Sequence, residues 1–169
     1  MNSIVTRRLK VGYDGVIIVP GFDVELRKGK ITSIIGANGC GKSTVLKGLT
    51  RLLDYRRGAV YLDGRGLKEF TAKELARHIG VLPQVHSAPP DFQVRDLVGY
   101  GRVPHQKWYA RHSEEDEKII DWAMQATGVW PLRDKSINEC SGGESQRVWI
   151  ATVLTQQPEI LFLDEPTPY

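Results

Sequence analysis

Gly36-Ala37-Asn38-Gly39-Cys40-Gly41-Lys42-Ser43 is the stretch on which the reading of this chain turns. A loop that wraps phosphate oxygens has to bring several backbone N–H groups inward with no Cβ atom in the way. Gly36, Gly39 and Gly41 supply that freedom. Beyond the loop, Val45, Leu46, Leu49, Leu52 and Leu53 fall at helical spacing, which predicts a helix over 42–53. Its first turn adds amide donors and the positive end of the helix dipole. Before the loop, Ile31–Ile35 is apolar enough for a strand buried on both faces. In that setting Lys42 reaches the β- and γ-phosphates of a nucleoside triphosphate, Ser43 offers its hydroxyl to Mg²⁺, and Thr44 faces the α-phosphate. The four fixed positions arise by chance in roughly one chain of this length in a hundred, so a glycine-rich turn with an incidental lysine is the weaker reading.

Working outward, Val16–Val19 and Phe22–Leu26 read as short strands, followed by the turn Arg27-Lys28-Gly29-Lys30. Val60–Leu62 reads as a strand ended by Asp63-Gly64. Thr71 with Glu74 is a capping-box signature for a helix through His78, and Val81–Leu82 is a brief strand stopped by Pro83. Residues 85–112 hold Pro89-Pro90 and Pro104 and read as irregular, apart from a helical piece near Val94–Tyr100. Ser113 is placed to cap a helix opening with Glu114, Glu115, Asp116 and Glu117, where negative charge suits the dipole.

A second apolar run, Ile160–Leu163, is expected to be buried and ends in Asp164-Glu165. Ligands of parallel sheets sit beyond the carboxyl ends of the strands. That places Asp164 near Ser43 as a second Mg²⁺ ligand. Glu165 then faces a water in line with the γ-phosphate, as general base. A helix cap or solvated turn is the plain alternative.

Bulk properties set limits. The chain has 169 residues, enough for one domain with a real core, and its formal charge is +3. That charge is scattered, with no stripe or reading motif that would point to nucleic acid. No run approaches the roughly 20 apolar residues of a membrane span. Met1–Arg8 is basic without a following apolar core, so no secretory signal is expected. Cys40 and Cys140 lack partners at metal-ligand spacing and fit a reducing compartment, and the four histidines have no ligand spacing either. Trp108-Tyr109 beside His105 is read as an exposed or partner-facing aromatic pair rather than a base-stacking platform.

A third element carries a family resemblance. Cys140-Ser141-Gly142-Gly143-Glu144-Ser145-Gln146-Arg147 resembles the signature sequence of ATP-binding cassette (ABC) ATPases. The local physics agrees: Ser141 and Glu144 form a capping box, and Gly142 and Gly143 let an anion approach amides at a helix start. By that resemblance, Ser141–Glu144 meets the γ-phosphate held by an opposite subunit. Tyr13 sits where an aromatic side chain stacks on adenine, and Gln84 where a glutamine contacts Mg²⁺ and senses the membrane partner. The implied cofactors are ATP and Mg²⁺. The implied fold is α/β: a P-loop NTPase core of parallel sheet plus N-terminal antiparallel strands, with an inserted helical subdomain. The core would take residues 1–84 and 156–169, and the helical part about 85–155, as one discontinuous domain.

Within that family, Arg95-Asp96-Leu97-Val98 followed by Gly101–Gln106, and Phe162–Thr167 followed by Tyr169, look like importers of iron chelates: siderophores, haem, or the related cobalamin. The resemblance implies a homodimer or pseudo-dimer of cassettes working on integral-membrane permease subunits. It also implies an external substrate-binding protein, a peripheral position on the cytoplasmic side of the cell membrane, and no nucleic acid. Asp91–Gln106 would face the permease. Three departures stand out: Cys140 where leucine is usual, Glu144 where glutamine is common, and a chain that stops at Tyr169. The family's γ-phosphate-sensing histidine is not supplied by His78, His86, His105 or His112. A truncated or incomplete chain is therefore expected, which leaves turnover by this chain alone an open question. Two other readings stay open: a hydrolysis-deficient nucleotide-binding module, and a soluble, non-transport ABC ATPase.

Overall fold

The structure, a computed structural model, describes residues 2–85, 87–89, 91–107 and 112–165. Two compact units divide the chain, residues 1–71 and 72–169.

The first unit is built on one long strand, β1 (Asn2–Tyr13), which pairs antiparallel with β2 (Val16–Phe22), β3 (Glu25–Arg27) and β4 (Tyr55–Leu62). A short β5 (Arg65–Gly66) extends the sheet beyond β4. Ile4, Leu9 and Val11 of β1 are fully buried, together with Val60 and Leu62 of β4. Helix α1 (Lys42–Leu49) lies against β1 so closely that a Cβ on Gly48 would come within 2.7 Å of Val11 Cγ2. Thr6 is buried yet satisfied: its hydroxyl donates to the Phe22 carbonyl at 2.9 Å and accepts from the Val24 N–H at 2.8 Å.

Two expectations fail in this unit. The helix ends at Leu49 rather than continuing to Leu53. Thr50 bonds its hydroxyl back to the Leu46 carbonyl at 2.8 Å, and Arg51 turns the chain out at φ 59. The strand expected at Ile31–Ile35 is not formed: among the described residues it has no ladder partner, and Ile31 and Ile35 are 98% and 92% exposed. A strand apolar on both faces holds only between hydrogen-bonded neighbours and under two covering layers. The antiparallel sheet provides neither to this run.

In the second unit, helix α2 (Ala72–His78) follows Thr71 and leads into β6 (Ile79–Leu82). Strand β7 (Ile160–Leu163) pairs with β6 in parallel, in a register running from Ile79↔Ile160 to Leu82↔Leu163. Between them in sequence come α3 (Val94–Gly99), a 3₁₀ segment Tyr100–His105, α4 (Glu114–Ala126) and α5 (Gly142–Thr155). Val94, Val98, Ile120, Ala123, Met124, Val129, Val148 and Ala151 make their common core. Of β7 only Phe162 is buried, while Leu161 and Leu163 are exposed, so the expected fully buried strand is covered on one face only.

The helices are pinned by a buried ion pair. Arg102 Nε donates to Asp116 Oδ1 at 2.7 Å, and the two side chains are 7% and 9% exposed. The guanidinium also donates to the Thr155 carbonyl at 2.8 Å and to Gln157 Oε1 at 3.0 Å. Asp116 Oδ2 accepts from the Ser113 N–H and hydroxyl, both at 3.0 Å, and closes the α4 capping box. Among the described residues, no helix is long and apolar enough to cross a membrane.

Candidate functional site

The loop before α1 is exposed from Gly36 to Cys40. Gly39 and Gly41 sit in the left-handed region at φ 79 and 96, where a side chain is strained. Gly41 is the N-cap and offers no side chain to the first-turn amides of α1. A Cβ on Gly36 would stand 2.7 Å from Cys40 Sγ, so the loop is as tight as the glycine spacing requires. Lys42 Nζ folds over the loop and donates to the Gly36 and Ala37 carbonyls at 2.9 and 3.0 Å. An ammonium, exposed glycine backbone and the uncapped start of α1 thus lie together within residues 36–42, groups that favour multiply charged oxyanions. Ser43 follows Lys42 on α1 and is half-buried, whereas Thr44 is buried. Asn38 lies at the exposed tip.

Tyr13 ends β1 and is 40% exposed, enough to present a ring face. Lys47 Nζ stands 5.9 Å from its ring centroid and 3.5 Å from its Oη. Sequence reading passed over Lys47, because its link to Tyr13 spans 34 positions and only the packing of α1 on β1 makes it.

In the second unit, Gln84 and Glu165 follow the carboxyl ends of the parallel strands β6 and β7. The Asp164 N–H continues the ladder to the Leu82 carbonyl at 3.0 Å, and Gln84 Nε2 donates to Glu165 Oε2 at 2.5 Å. Two sequence-expected residues, 81 positions apart, therefore meet. Glu165 adopts φ 50, a left-handed conformation uncommon for a residue with a side chain. Asp164 is half-buried beside it.

Ser141 caps α5. Its Oγ accepts from the Glu144 N–H at 3.3 Å, and the Glu144 carboxylate accepts from the Ser141 N–H at 2.7 Å. The Ser141 backbone N–H, and then its hydroxyl, hold the Glu144 carboxyl below the usual carboxylate range. The acid is thereby turned back into the cap, and Gly142 and Gly143 are left exposed at the helix start. Cys140, just before the cap, has its thiol pushed up by burial and then by the Glu144 carboxylate.

Trp108-Tyr109, His86 and the run Pro166–Tyr169 lie outside the described residues.

The sequence pattern of the ABC transporter family matches residues 19–168. The chain is 46% identical over all its 169 residues to the iron(3+)-hydroxamate import ATP-binding protein FhuC of Bacillus subtilis (strain 168), of which it covers 63%. It is also 46% identical, over 96% of its length, to the ferric enterobactin transport ATP-binding protein FepC of Escherichia coli (strain K12), covering 60% of that protein. It thus spans about three fifths of the length of the curated relatives it matches. A nucleotide-free ATP-binding cassette from an ABC transporter superposes with a TM-score of 0.85 over 99% of this chain and 70% of that one, at 23% identity, which fixes the fold. Another transporter cassette superposes with a TM-score of 0.83 at 25% identity, covering 98% of this chain and 70% of that one. The chain belongs to the ABC transporter family.

Proposed function

We propose that the protein containing this chain is the ATP-binding and ATP-hydrolysing subunit of an importer that takes up an iron chelate of the siderophore type. The observation that carries the reading is whole-length identity of 46% to a subunit named for iron(3+)-hydroxamate import. Relatives named for siderophore and achromobactin transport, at 43% and 42% identity, support it.

The residues present fit the cofactor. Exposed glycine backbone, the uncapped start of α1 and the Lys42 ammonium make a cradle for a triphosphate. Lys42 already engages the loop carbonyls of Gly36 and Ala37. Gly36–Gly41 would wrap the phosphates, Lys42 would hold the β- and γ-phosphates, Thr44 would lie toward the α-phosphate, and Tyr13 would stack on the adenine. Ser43, Gln84 and Asp164 are assigned as the residues that would offer oxygen to Mg²⁺, a hard cation that selects such ligands. When bound, MgATP supplies a γ-phosphoryl group whose transfer to water drives the cycle.

Glu165 is assigned as the general base that orients and deprotonates that water. The Gln84 carboxamide occupies Oε2, which leaves Oε1 to accept the proton and fixes the carboxylate's rotation. Ser141, Gly142, Gly143 and the capped Glu144 are assigned to the γ-phosphate of a second copy, so that each site of a homodimer or pseudo-dimer is completed by its partner. Asp91–Gln106 is assigned to the permease subunits, which in turn meet an external substrate-binding protein. The subunit would stand peripherally on the cytoplasmic side of the membrane. Residues 1–84 and 156–169 would form the nucleotide-binding core and 85–155 the helical part of one discontinuous domain.

The test is ATPase activity of the full-length protein with its permease. Lys42→Ala is expected to abolish nucleotide binding, and Glu165→Gln to retain binding while trapping an ATP-bound dimer. Turnover unchanged in both variants overturns the assignment. Nucleotide binding with no phosphate release from the unaltered protein selects a hydrolysis-deficient module instead.

A further inference from the structure

Thr6 and Leu9 of β1 both point into the core, with 3% and 0% exposure. In a regular strand the faces alternate at every residue, so two inward side chains cannot be three positions apart. A bulge absorbs the difference: pairing steps from Arg7↔Ala59 to Lys10↔Arg57, three residues along β1 against two along β4. Arg8 takes φ 47 and Gly58, opposite it, φ 90. A Cβ on Gly58 would lie 2.4 Å from the Arg8 carbonyl oxygen, so the position has no room for a side chain. The Asp23 carboxylate accepts from the Arg8 N–H and holds the bulge closed.

The consequence is electrostatic. Arg7 and Arg8, which a regular strand would send to opposite faces, are both exposed. With Lys10, Arg57, Gly58 and Ala59 they line a cavity of about 430 Å³. Lys10 stands directly across from Arg57, a like-charge pairing that weakens a sheet. Arg7 rests against the Tyr61 ring, 5.7 Å from its centroid. Among the described residues none of the four cations makes an ion pair. A strained backbone that gathers four cations around the one Asp23 carboxylate bonded to the Arg8 N–H is a local conflict with stability, and such conflicts concentrate at binding sites.

We propose that this cavity is an anion site for a ligand carrying two or more phosphate groups, built from residues none of which belongs to the glycine-rich loop. A single negative charge would leave most of the repulsion among four cations in place, whereas a polyphosphate neutralises it. Three of the four cations are arginines, whose planar forks match phosphate oxygens pairwise. The ligand is either a free polyphosphorylated small molecule or the headgroup of a lipid with two phosphates.

The test uses the full-length protein carrying Lys42→Ala, so that the glycine-rich loop does not report. One probe is inorganic tripolyphosphate, followed by calorimetry; the other is vesicles containing cardiolipin, followed by co-sedimentation. Adding Arg8→Gln and Arg57→Gln is expected to weaken binding about fivefold to tenfold for two exposed charges. Binding should also fall as salt rises from about 50 mM to about 300 mM. Loss confined to tripolyphosphate assigns a free ligand, and loss confined to vesicles assigns a lipid headgroup. Far-UV circular dichroism establishes that the variants are folded, and Arg8→Lys with Arg57→Lys, which keeps the charge without the planar fork, is expected to restore part of the affinity. Affinities for both probes that differ by less than about twofold between the charged and neutralised proteins overturn the proposal. ATP binding with Lys42 restored reads the loop separately, so failure of one site is not mistaken for failure of the other.

Discussion

Asp116→Asn is the sharpest test of how the helical unit holds together. The substitution keeps the shape and removes the charge that answers Arg102, whose guanidinium stays 7% exposed. Asp116 accepts from Arg102 Nε, from the Ser113 N–H and hydroxyl, and from Gln106 Nε2 at 3.3 Å, while an asparagine must turn an NH₂ toward one of these donors. Breaking a buried ion pair by removing one partner costs about 3–5 kcal/mol. Here the Thr155 carbonyl and Gln157 still solvate the cation, so the low end, about 3 kcal/mol, is expected. At this chain length that lowers Tm by about 6–12 °C.

The pH dependence carries a sign. Burial works to raise the Asp116 carboxyl, but the Ser113 backbone bond, the Arg102 guanidinium, and the Ser113 and Gln106 side chains together hold it well below the usual carboxylate range. A depressed folded-state pKa stabilises the protein above the unfolded value of about pH 4, and that stability is lost as pH falls toward the folded value. The stability gap between the parent and Asp116→Asn should therefore be full at neutral pH and shrink below about pH 4. Urea unfolding followed by tryptophan fluorescence reads this unit directly, because Trp122, Trp130 and Trp149 all lie within residues 72–169. A neutral-pH gap under about 1 kcal/mol, or a gap that does not narrow in acid, refutes the account.

Further expectations concern the loop, the bulge and the thiols. Iodoacetamide should alkylate exposed Cys40 before Cys140, whose thiol is pushed up by burial and by Glu144, and MgATP should protect Cys40 alone; mass spectrometry of timed quenches reads both. Gly58→Ala should destabilise the protein by about 1–3 kcal/mol, since φ 90 and a contact of 2.4 Å to the Arg8 carbonyl both oppose a side chain; thermal unfolding measures it. Ser141→Ala should lower stability by about 1 kcal/mol through loss of the α5 cap and should weaken ATP-driven dimerisation more than it weakens ATP binding, as sizing and nucleotide titration would separate.

What could be read from sequence follows from how local each signal is. The α4 and α5 starts are legible because Ser113 with Asp116 and Ser141 with Glu144 complete their hydrogen bonds within one turn, whatever the rest of the chain does. The closed loop ahead of α1 is local in the same way: Lys42 bonds the Gly36 and Ala37 carbonyls within six residues. The Gln84–Glu165 contact was reachable only indirectly, because 81 positions separate them: the end of a strand places Glu165, and only the family resemblance places Gln84.

Strand β1 was the element least visible in advance, and the reason is physical. Its inward residues, Ile4, Thr6, Leu9 and Val11, change parity between Thr6 and Leu9, so an alternation test sees two fragments too short to count as a strand. The parity change is the bulge at Arg7-Arg8, and the glycine that permits it, Gly58, lies 50 positions away on β4. Ile31–Ile35 fails in the opposite sense: its pattern announces a buried strand, but burial is a property of neighbours, and among the described residues none pairs with it. A periodic signal therefore reports what a segment can bury, and only the partner strands decide whether it does. Strand β1 conceals its pattern and is the centre of its sheet, while 31–35 displays one and joins no ladder among the described residues.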